Sequence, residues 1–296
     1  MIFGHKLFFQ DEVFFNVTME DCNQNLPLVV TVVEDKASYG FYFFLLKSEK
    51  VVLSGQDAYY YSQKPFEEVD KKSLWALEIK DVLFLVWDSI KQQIVYRKGP
   101  LYTTERLRYW IYHTFFPLVL ELKNTYHMLH VGAVEVEGMP ILFSAFSFGG
   151  KSTLTNYFLK HGHRLFSDDS LALEEKDDLF YAVPSYPYHR PYRKVETLGY
   201  YAKNFARESK PIHVVYTLKK SDAKDDVVIT ELKGIEKFKA LHKSIFIDFD
   251  FMKKKHFEFL TKMAEGIPIY EITVPWDMQR LEEVYKAICT HTNSLN

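Results

Sequence analysis

"FSAFSFGGKSTLTNYFLKHGHRLFSDDSLALE" spans Phe143 to Glu174, and its reading decides how the rest of the chain is understood. An apolar run reaches Phe143, a glycine pair and Lys151 follow, and a helix-forming stretch opens at Ser152 and stops at Gly162. Residues Ala145 to Ser152 match a phosphate-binding loop in which Ala145 takes the first glycine's place. In such a loop Gly150 lets the backbone approach phosphate, and successive amide N–H groups point inward. Lys151 brings a cation to the outer phosphates, and the Ser152 hydroxyl can hold Mg²⁺. Ser147, Phe148, Gly149 and Thr153 complete the candidate nucleotide contacts. A bare GK[ST] is common by chance, but here a strand precedes it and a helix follows. Phe146 and Phe148 are unusual, because a loop that wraps phosphate normally carries small side chains. Their expected role is packing against neighbouring structure.

Asp168 and Asp169 stand 17 and 18 residues beyond Lys151. An ordinary phosphate-loop ATPase places its carboxylate at the end of a long apolar strand, whereas this pair follows the loop helix almost at once. One carboxylate near an outer phosphate can orient or deprotonate an attacking hydroxyl, and a second can hold Mg²⁺. Adjacent acids at a strand end point in different directions, so the two roles can be divided.

Outward from the loop, Val131 to Val136, the turn Glu137-Gly138-Met139-Pro140 and Ile141 to Phe143 read as a hairpin feeding the loop, with His130 at its start. Downstream, Pro211 to Leu218 and Val227 to Leu232 read as strands, and the acidic run Asp222 to Asp226 as a hairpin turn. Asp277 can cap a helix carrying Leu281, Val284, Tyr285 and Ile288 at helical spacing. Upstream, Leu26 to Val33, Tyr39 to Leu46, Val82 to Trp87 and Gln92 to Arg97 are short runs dense in β-branched and aromatic residues. Thr104 to Leu122 reads as a helix with a kink or break at Pro117. The expected organisation is a smaller β-rich domain over 1–126 that ends in this helical connector, then an α/β domain over 127–296. The boundary falls near Asn124 to Met128.

Composition narrows the function classes. A chain of 296 residues that is 47% hydrophobic and 26% charged can bury a sizeable core and is neither disordered nor fibrous. Its 37 basic and 39 acidic residues are mixed along the chain, which leaves no extended basic stripe for nucleic acid. The apolar runs are shorter than the roughly 18 residues of a bilayer span, and Asp11 and Glu12 interrupt any signal-peptide core, so no membrane partner is expected. Cys22 and Cys289 lie far apart without metal-ligand spacing, which fits a cytosolic setting.

At the level of motifs the chain resembles the HPr kinase/phosphorylase family, and more closely its shorter HPr-kinase-like serine kinase relatives. The resemblance rests on "LHVGAVEV" (Leu129 to Val136), the hairpin, the GGKS loop, a helix ending in "HGHRL" and then "SDD", in the family's order and spacing. It continues more weakly through "VPSYPYHRPY" (Val183 to Tyr192), "PIHVVYTL" and "GIPIYEITVPWD" (Gly266 to Asp277). What the resemblance implies is a phosphoenolpyruvate-carboxykinase-like P-loop kinase core and transfer of the ATP γ-phosphate to a serine hydroxyl. The acceptor would be a peptide or protein, with a ribosomally made precursor peptide as one form. By position Lys151 and Ser152 would meet phosphate and Mg²⁺, while Asp168 and Asp169 would supply the base and a metal contact, with Asp168 favoured as base. His130 lies where the family also has a histidine near the active face, with a packed strand-end histidine as the alternative. Some relatives use inorganic phosphate or pyrophosphate, and such enzymes often form homo-oligomers. The loop departs from the family pattern at Ala145 and Phe148, with Gly149 as an extra glycine.

Further groups admit more than one role. "YHRPYRK" gathers His189, Arg190, Arg193 and Lys194; Arg190 or Arg193 could stabilise a transferring phosphoryl group or hold an acidic acceptor, and solvated loop charge is the alternative. His161 and His163 flank Gly162 with no third zinc ligand nearby, so structural or solvent-facing roles are expected. A P-loop ATPase or GTPase is the competing activity, since Lys220 and Asp222 faintly resemble a guanine-reading NKxD, but the asparagine and a DxxG are missing. A non-catalytic nucleotide-binding scaffold is the competing non-enzyme; it has no need of Lys151, Ser152, Asp168 and Asp169 together.

Overall fold

The β-branched and aromatic runs of the first third pair as strands. A computed structural model describes residues 1–10, 29–35, 44–68, 73–146, 148–191 and 196–295. In it the chain divides into two units, Met1–Thr125 with Val195–Thr197, and Tyr126–Lys194 with Leu198–Asn296.

The first unit contains β1 (Lys6–Phe9), β2 (Val29–Glu34), β3 (Leu46–Lys47), β4 (Val51–Leu53), β5 (Gln56–Ser62), β6 (Trp75–Ile79), β7 (Leu83–Asp88) and β8 (Gln93–Lys98). They form an eight-stranded sheet in the order β1-β2-β8-β7-β6-β5-β3, with β4 also on β5. Of the expected strands, residues 26–28 and 39–43 fall outside the described residues, as do Asp11, Glu12 and Cys22. Two central strands, β5 and β6, did not stand out in the sequence, since QDAYYYS is half polar and WALEI is short. α1 (Thr104–Trp110) is capped by Thr103, whose hydroxyl accepts the Arg106 N–H at 3.1 Å. It passes through a π-helical turn at Ile111–Phe115 into α2 (Phe116–Leu122), with Pro117 in the first turn. Pro117 has no N–H to give the preceding turn, and the wider turn falls directly before it.

The second unit contains β9 (His127–Leu129), β10 (Gly132–Val136), β11 (Met139–Ser144), α3 (Lys151–Lys160), β12 (Arg164–Ser167), β13 (Leu171–Lys176), β14 (Leu179–Val183), β15 (Tyr188–His189) and β16 (Tyr200–Tyr201). These are followed by β17 (Lys210–Pro211), β18 (Val214–Ser221), β19 (Ile229–Glu231), α4 (Ile235–His242), α5 (Lys253–Gly266), β20 (Ile269–Pro275) and α6 (Leu281–Ser294). A six-stranded sheet runs β12-β10-β11-β18-β20-β19, a four-stranded sheet β17-β14-β13-β9, and β15 pairs with β16. β11, β18 and β20 are parallel, and β10 returns on β11 through Glu137 and Gly138, both at positive φ.

Alternation along these strands sorts side chains to two faces. Val134, Ile141, Phe143, Val214, Tyr216 and Ile272 pack with Leu154 and Phe158 of α3 and Val284 and Ile288 of α6. Ala133, Leu142, Val215 and Ile269 face the other way, onto Leu241 of α4, Phe259, Leu260 and Met263 of α5, and Leu171, Leu173 and Ala182 of the smaller sheet. The unit is therefore mixed α/β with several sheets. One expectation is corrected. Asp222 to Asp226 do turn, with Asp225 N–H donating to the Asp222 carbonyl at 3.0 Å, but β18 and β19 do not form a hairpin. Both edges of β18 are taken by β11 and β20, so β19 pairs on the far side of β20.

Candidate functional site

The glycine loop lies where β11 gives way to α3. Gly150, at φ 89°, caps α3, and Leu154 N–H donates back to the Gly150 carbonyl at 2.9 Å. Phe148 is also left-handed at φ 62°. The tight turn requires glycine at 149, and the Ala145 methyl closes it further. A Cβ at Gly149 would stand 2.8 Å from the Ala145 methyl and 2.9 Å from the Phe146 carbonyl oxygen, so only glycine fits at 149. Lys151 is buried and its Nζ donates to the Ala145 carbonyl at 2.7 Å; Ser152 and Thr153 are half-buried in the first turn. Ser147 lies outside the described residues, as does Arg193. The expected packing of Phe146 and Phe148 is corrected, for they are 72% and 80% exposed. The inner side of the turn is filled by Gly149 against Ala145, which leaves the two rings outside.

The aspartates occupy a crossing between sheets. β12 ends at Ser167 in the six-stranded sheet and β13 begins at Leu171 in the four-stranded one. The Ser167 hydroxyl tightens this crossing by donating to the Ser170 carbonyl at 2.8 Å. Asp168 is only 4% exposed, and its Oδ2 accepts the Arg190 backbone N–H at 2.6 Å. Its Oδ1 is buried and accepts no hydrogen bond among the described residues. Burial pushes the Asp168 carboxyl up to about 6; the Arg190 N–H opposes this, the Asp169 charge adds to it, and the nearby Ser152 hydroxyl and the Arg190 guanidinium oppose it further. Asp169 is more open, with His130 Nδ1 at 3.4 Å from Oδ1 and Arg190 Nη2 at 3.6 Å from Oδ2.

Arg190 reaches this place through the β15–β16 pair, in which Tyr188 faces Tyr201 and His189 faces Tyr200. Gly199 makes the close approach: at φ 83°, a Cβ there would lie 2.4 Å from the His189 carbonyl oxygen. His130, between β9 and β10, donates its N–H to the Ser244 carbonyl at 2.6 Å, and the Ser244 and Ser144 hydroxyls are 2.6 Å apart. Ser152, Asp168, Asp169, Arg190 and His130 thus converge beside the loop.

The HxH pair is engaged in structure. His161 Nδ1 is 2.9 Å from the Tyr157 carbonyl, and His163 bridges the Glu135 carbonyl and the Tyr285 hydroxyl, each at 3.0 Å. Among the described residues no group of three or more His, Cys, Asp or Glu is set to hold a metal. A Mg²⁺ ion does not require one, because the Ser152 hydroxyl and the aspartate oxygens are hard donors of the kind it takes alongside a substrate's phosphates. The half-buried Asp169 carboxylate, more open than Asp168, fits such a use.

Two residues near the loop, Lys243 and Trp276, are not singled out in the sequence, and Lys220 is read there only within a faint NKxD resemblance. Lys243, after α4, bonds the Thr217 hydroxyl and lies 5.3 Å from the Phe146 ring centroid; burial lowers its pKa, and Glu271 opposes this. Trp276 stands beside Gly150, and Lys220 Nζ sits 4.2 Å from the centre of its ring. Each comes from a different segment, so no local motif marks their meeting beside the loop. Among the described residues no helix is long and apolar enough to cross a membrane.

No family model and no curated protein matches the chain. Among solved structures, the HPr(Ser) kinase/phosphatase from Coxiella burnetii is similar at 14% identity and a TM-score of 0.37, over 57% of this chain and 97% of that one.

Proposed function

We propose that the chain is a phosphotransferase of the HPr-kinase-like serine kinase type, moving the γ-phosphate of ATP to a serine hydroxyl of a peptide or protein on a phosphoenolpyruvate-carboxykinase-like P-loop core. The observation that carries this reading is Asp168. It is a carboxyl buried beside the phosphate loop, with its proton affinity raised to about 6 and the Arg190 amide and the Ser152 hydroxyl as its neighbours. A base whose pKa lies just below neutral is ionised at working pH and still basic enough to take a hydroxyl proton.

In this reading the acceptor oxygen bonds to the γ-phosphorus, the bond from that phosphorus to the ADP oxygen breaks, and the hydroxyl proton passes to Asp168. Lys151 and the loop amides hold the donor's outer phosphates. Arg190 offers its guanidinium to the charge that spreads over the transferring group. His130 and the Arg190 guanidinium keep Asp169 oriented. Ser152 and Asp169 would hold Mg²⁺, which supplies neutralising charge to the phosphates when bound.

The test is mass spectrometry of candidate serine peptides incubated with the full chain, ATP and Mg²⁺. Wild-type protein should add 80 Da increments, one per phosphate as expected for phosphoryl transfer. Asp168→Asn should bind ATP without transfer, and Lys151→Ala should lose transfer by roughly a hundredfold or more. Transfer that survives Asp168→Asn would sink the assignment of the base; ATP hydrolysis with no acceptor modified would sink the kinase reading.

A further inference from the structure

Next to the loop, on the side away from the aspartates' sheet crossing, β18 and β20 end and the chain enters α6. Gly150 and Thr153 share a cavity of about 160 Å³ here with Leu218, Val274, Trp276 and Met278. Trp276 is 46% exposed, and its ring edge lies 3.5 Å from where a Gly150 Cβ would stand. Lys220 Nζ lies 4.2 Å from the ring centre, which holds the indole in place by a cation–π contact. The one charged side chain lining the cavity, Asp277, already spends Oδ1 on the Gln279 N–H at 2.9 Å, capping the turn before α6.

We infer that this cavity receives the purine base of the donor nucleotide and grips it by its faces, so that ATP and GTP are both accepted as donors. The inference rests on the proposed phosphate-loop reading, because Gly150 and Thr153 belong both to that loop and helix and to the cavity wall. Whatever occupies the cavity therefore lies within one nucleotide's reach of the bound phosphates. The wall is an indole and aliphatic side chains, which suits a flat aromatic ring. Purine edges differ in their donors and acceptors, and discrimination needs polar groups fixed against those edges. Among the described residues this wall offers no side-chain amide or hydroxyl beyond Thr153, and a carboxylate at Asp277 can accept from an amino group on either purine. Lys220 and Asp222 do not line the cavity: Lys220 lies on the Trp276 ring, and Asp222 sits in the turn, where its N–H donates to Asp225 Oδ2 at 3.1 Å.

The test is titration calorimetry of the full chain with Mg²⁺ and ATP, GTP or inorganic tripolyphosphate. ATP and GTP should bind within roughly threefold of each other, since an apolar pocket separates such rings poorly. Both should bind on the order of tenfold more tightly than tripolyphosphate, the usual scale of base–aromatic stacking. Trp276→Ala should remove that advantage and leave tripolyphosphate unchanged, and Trp276→Phe should restore most of it. Trp276→Ala weakening all three ligands alike, or a large preference for one purine in the wild type, would overturn the inference. Tripolyphosphate binding as tightly as ATP would overturn it too, while leaving the phosphate-loop reading intact. Binding of none of the three would overturn the phosphate-loop reading itself, and this inference with it.

Discussion

Asp168→Asn should make the protein more stable at neutral pH while abolishing transfer. In acid, Asp168 carries its proton in both the folded and the unfolded chain and adds nothing to the difference between them. As pH rises past the ordinary carboxyl value of 3.8, the unfolded chain releases the proton while the folded chain holds it until about 6. The wild type therefore loses stability across that window and regains none above it. Each tenfold of proton affinity is worth about 1.36 kcal/mol, so a rise of roughly two decades costs about 3 kcal/mol at pH 8. Asparagine avoids this cost. Its carbonyl can still accept the Arg190 N–H, but its amide N–H₂ then occupies the place of Oδ1, at a pH-independent cost of about 1–2 kcal/mol. Urea unfolding followed by circular dichroism should show the variant gaining about 3 kcal/mol on the wild type between pH 3 and pH 8, and net stabler by about 1–2 kcal/mol at pH 8. Comparing the two proteins at each pH cancels the titration of distant groups. A difference that does not change with pH would refute the claim that burial holds the Asp168 proton. Wild-type transfer should also rise with pH through about 6 as the base becomes ionised.

Other outcomes follow from the same geometry. Gly149→Ala places a methyl 2.8 Å from the Ala145 Cβ and should cost about 1–3 kcal/mol; Ala145→Gly should recover part of it, so the double-mutant cycle in thermal unfolding should be non-additive. Additive losses would remove the link between these two positions. Arg190→Ala should lower kcat by on the order of a hundredfold, and Arg190→Lys should recover little of it, because lysine cannot reproduce the planar fork beside Asp169. Full activity of the lysine variant would count against that role. His163→Ala breaks its bonds to the Glu135 carbonyl and the Tyr285 hydroxyl and should destabilise by about 1–2 kcal/mol. Added zinc should not shift the wild-type melting temperature; a zinc-dependent shift lost in His163→Ala would give the HxH a metal role.

Much of the second unit was legible because its signals are local. The Glu137-Gly138 turn, the helix running from the glycine loop to Gly162 and the break at Asp168-Asp169 depend on residues within a few positions of one another. The first unit was less so. Its central β5 carries Gln56, Asp57 and Ser62, and its strand character comes from pairing with β6 along Ala58 to Ser62 rather than from its own composition. Glu196 was also invisible, although it is buried and accepts the Trp110 indole N–H at 2.8 Å, because its partners are about ninety residues earlier in the chain.

The sequence by itself determined the loop, its lysine and serine, the following helix and the acid pair, since glycine, capping and turn preferences act through neighbouring residues. Only the tertiary structure decided that the two aspartates bridge separate sheets, which buries Asp168 and leaves Asp169 open. It also decided that Gly199 lets Arg190 close on them and that Trp276 meets Gly150 across more than a hundred residues. Those placements follow from sheet order and register. They arise when distant strands compete for the same edges, and no single stretch of the chain records how that competition is resolved.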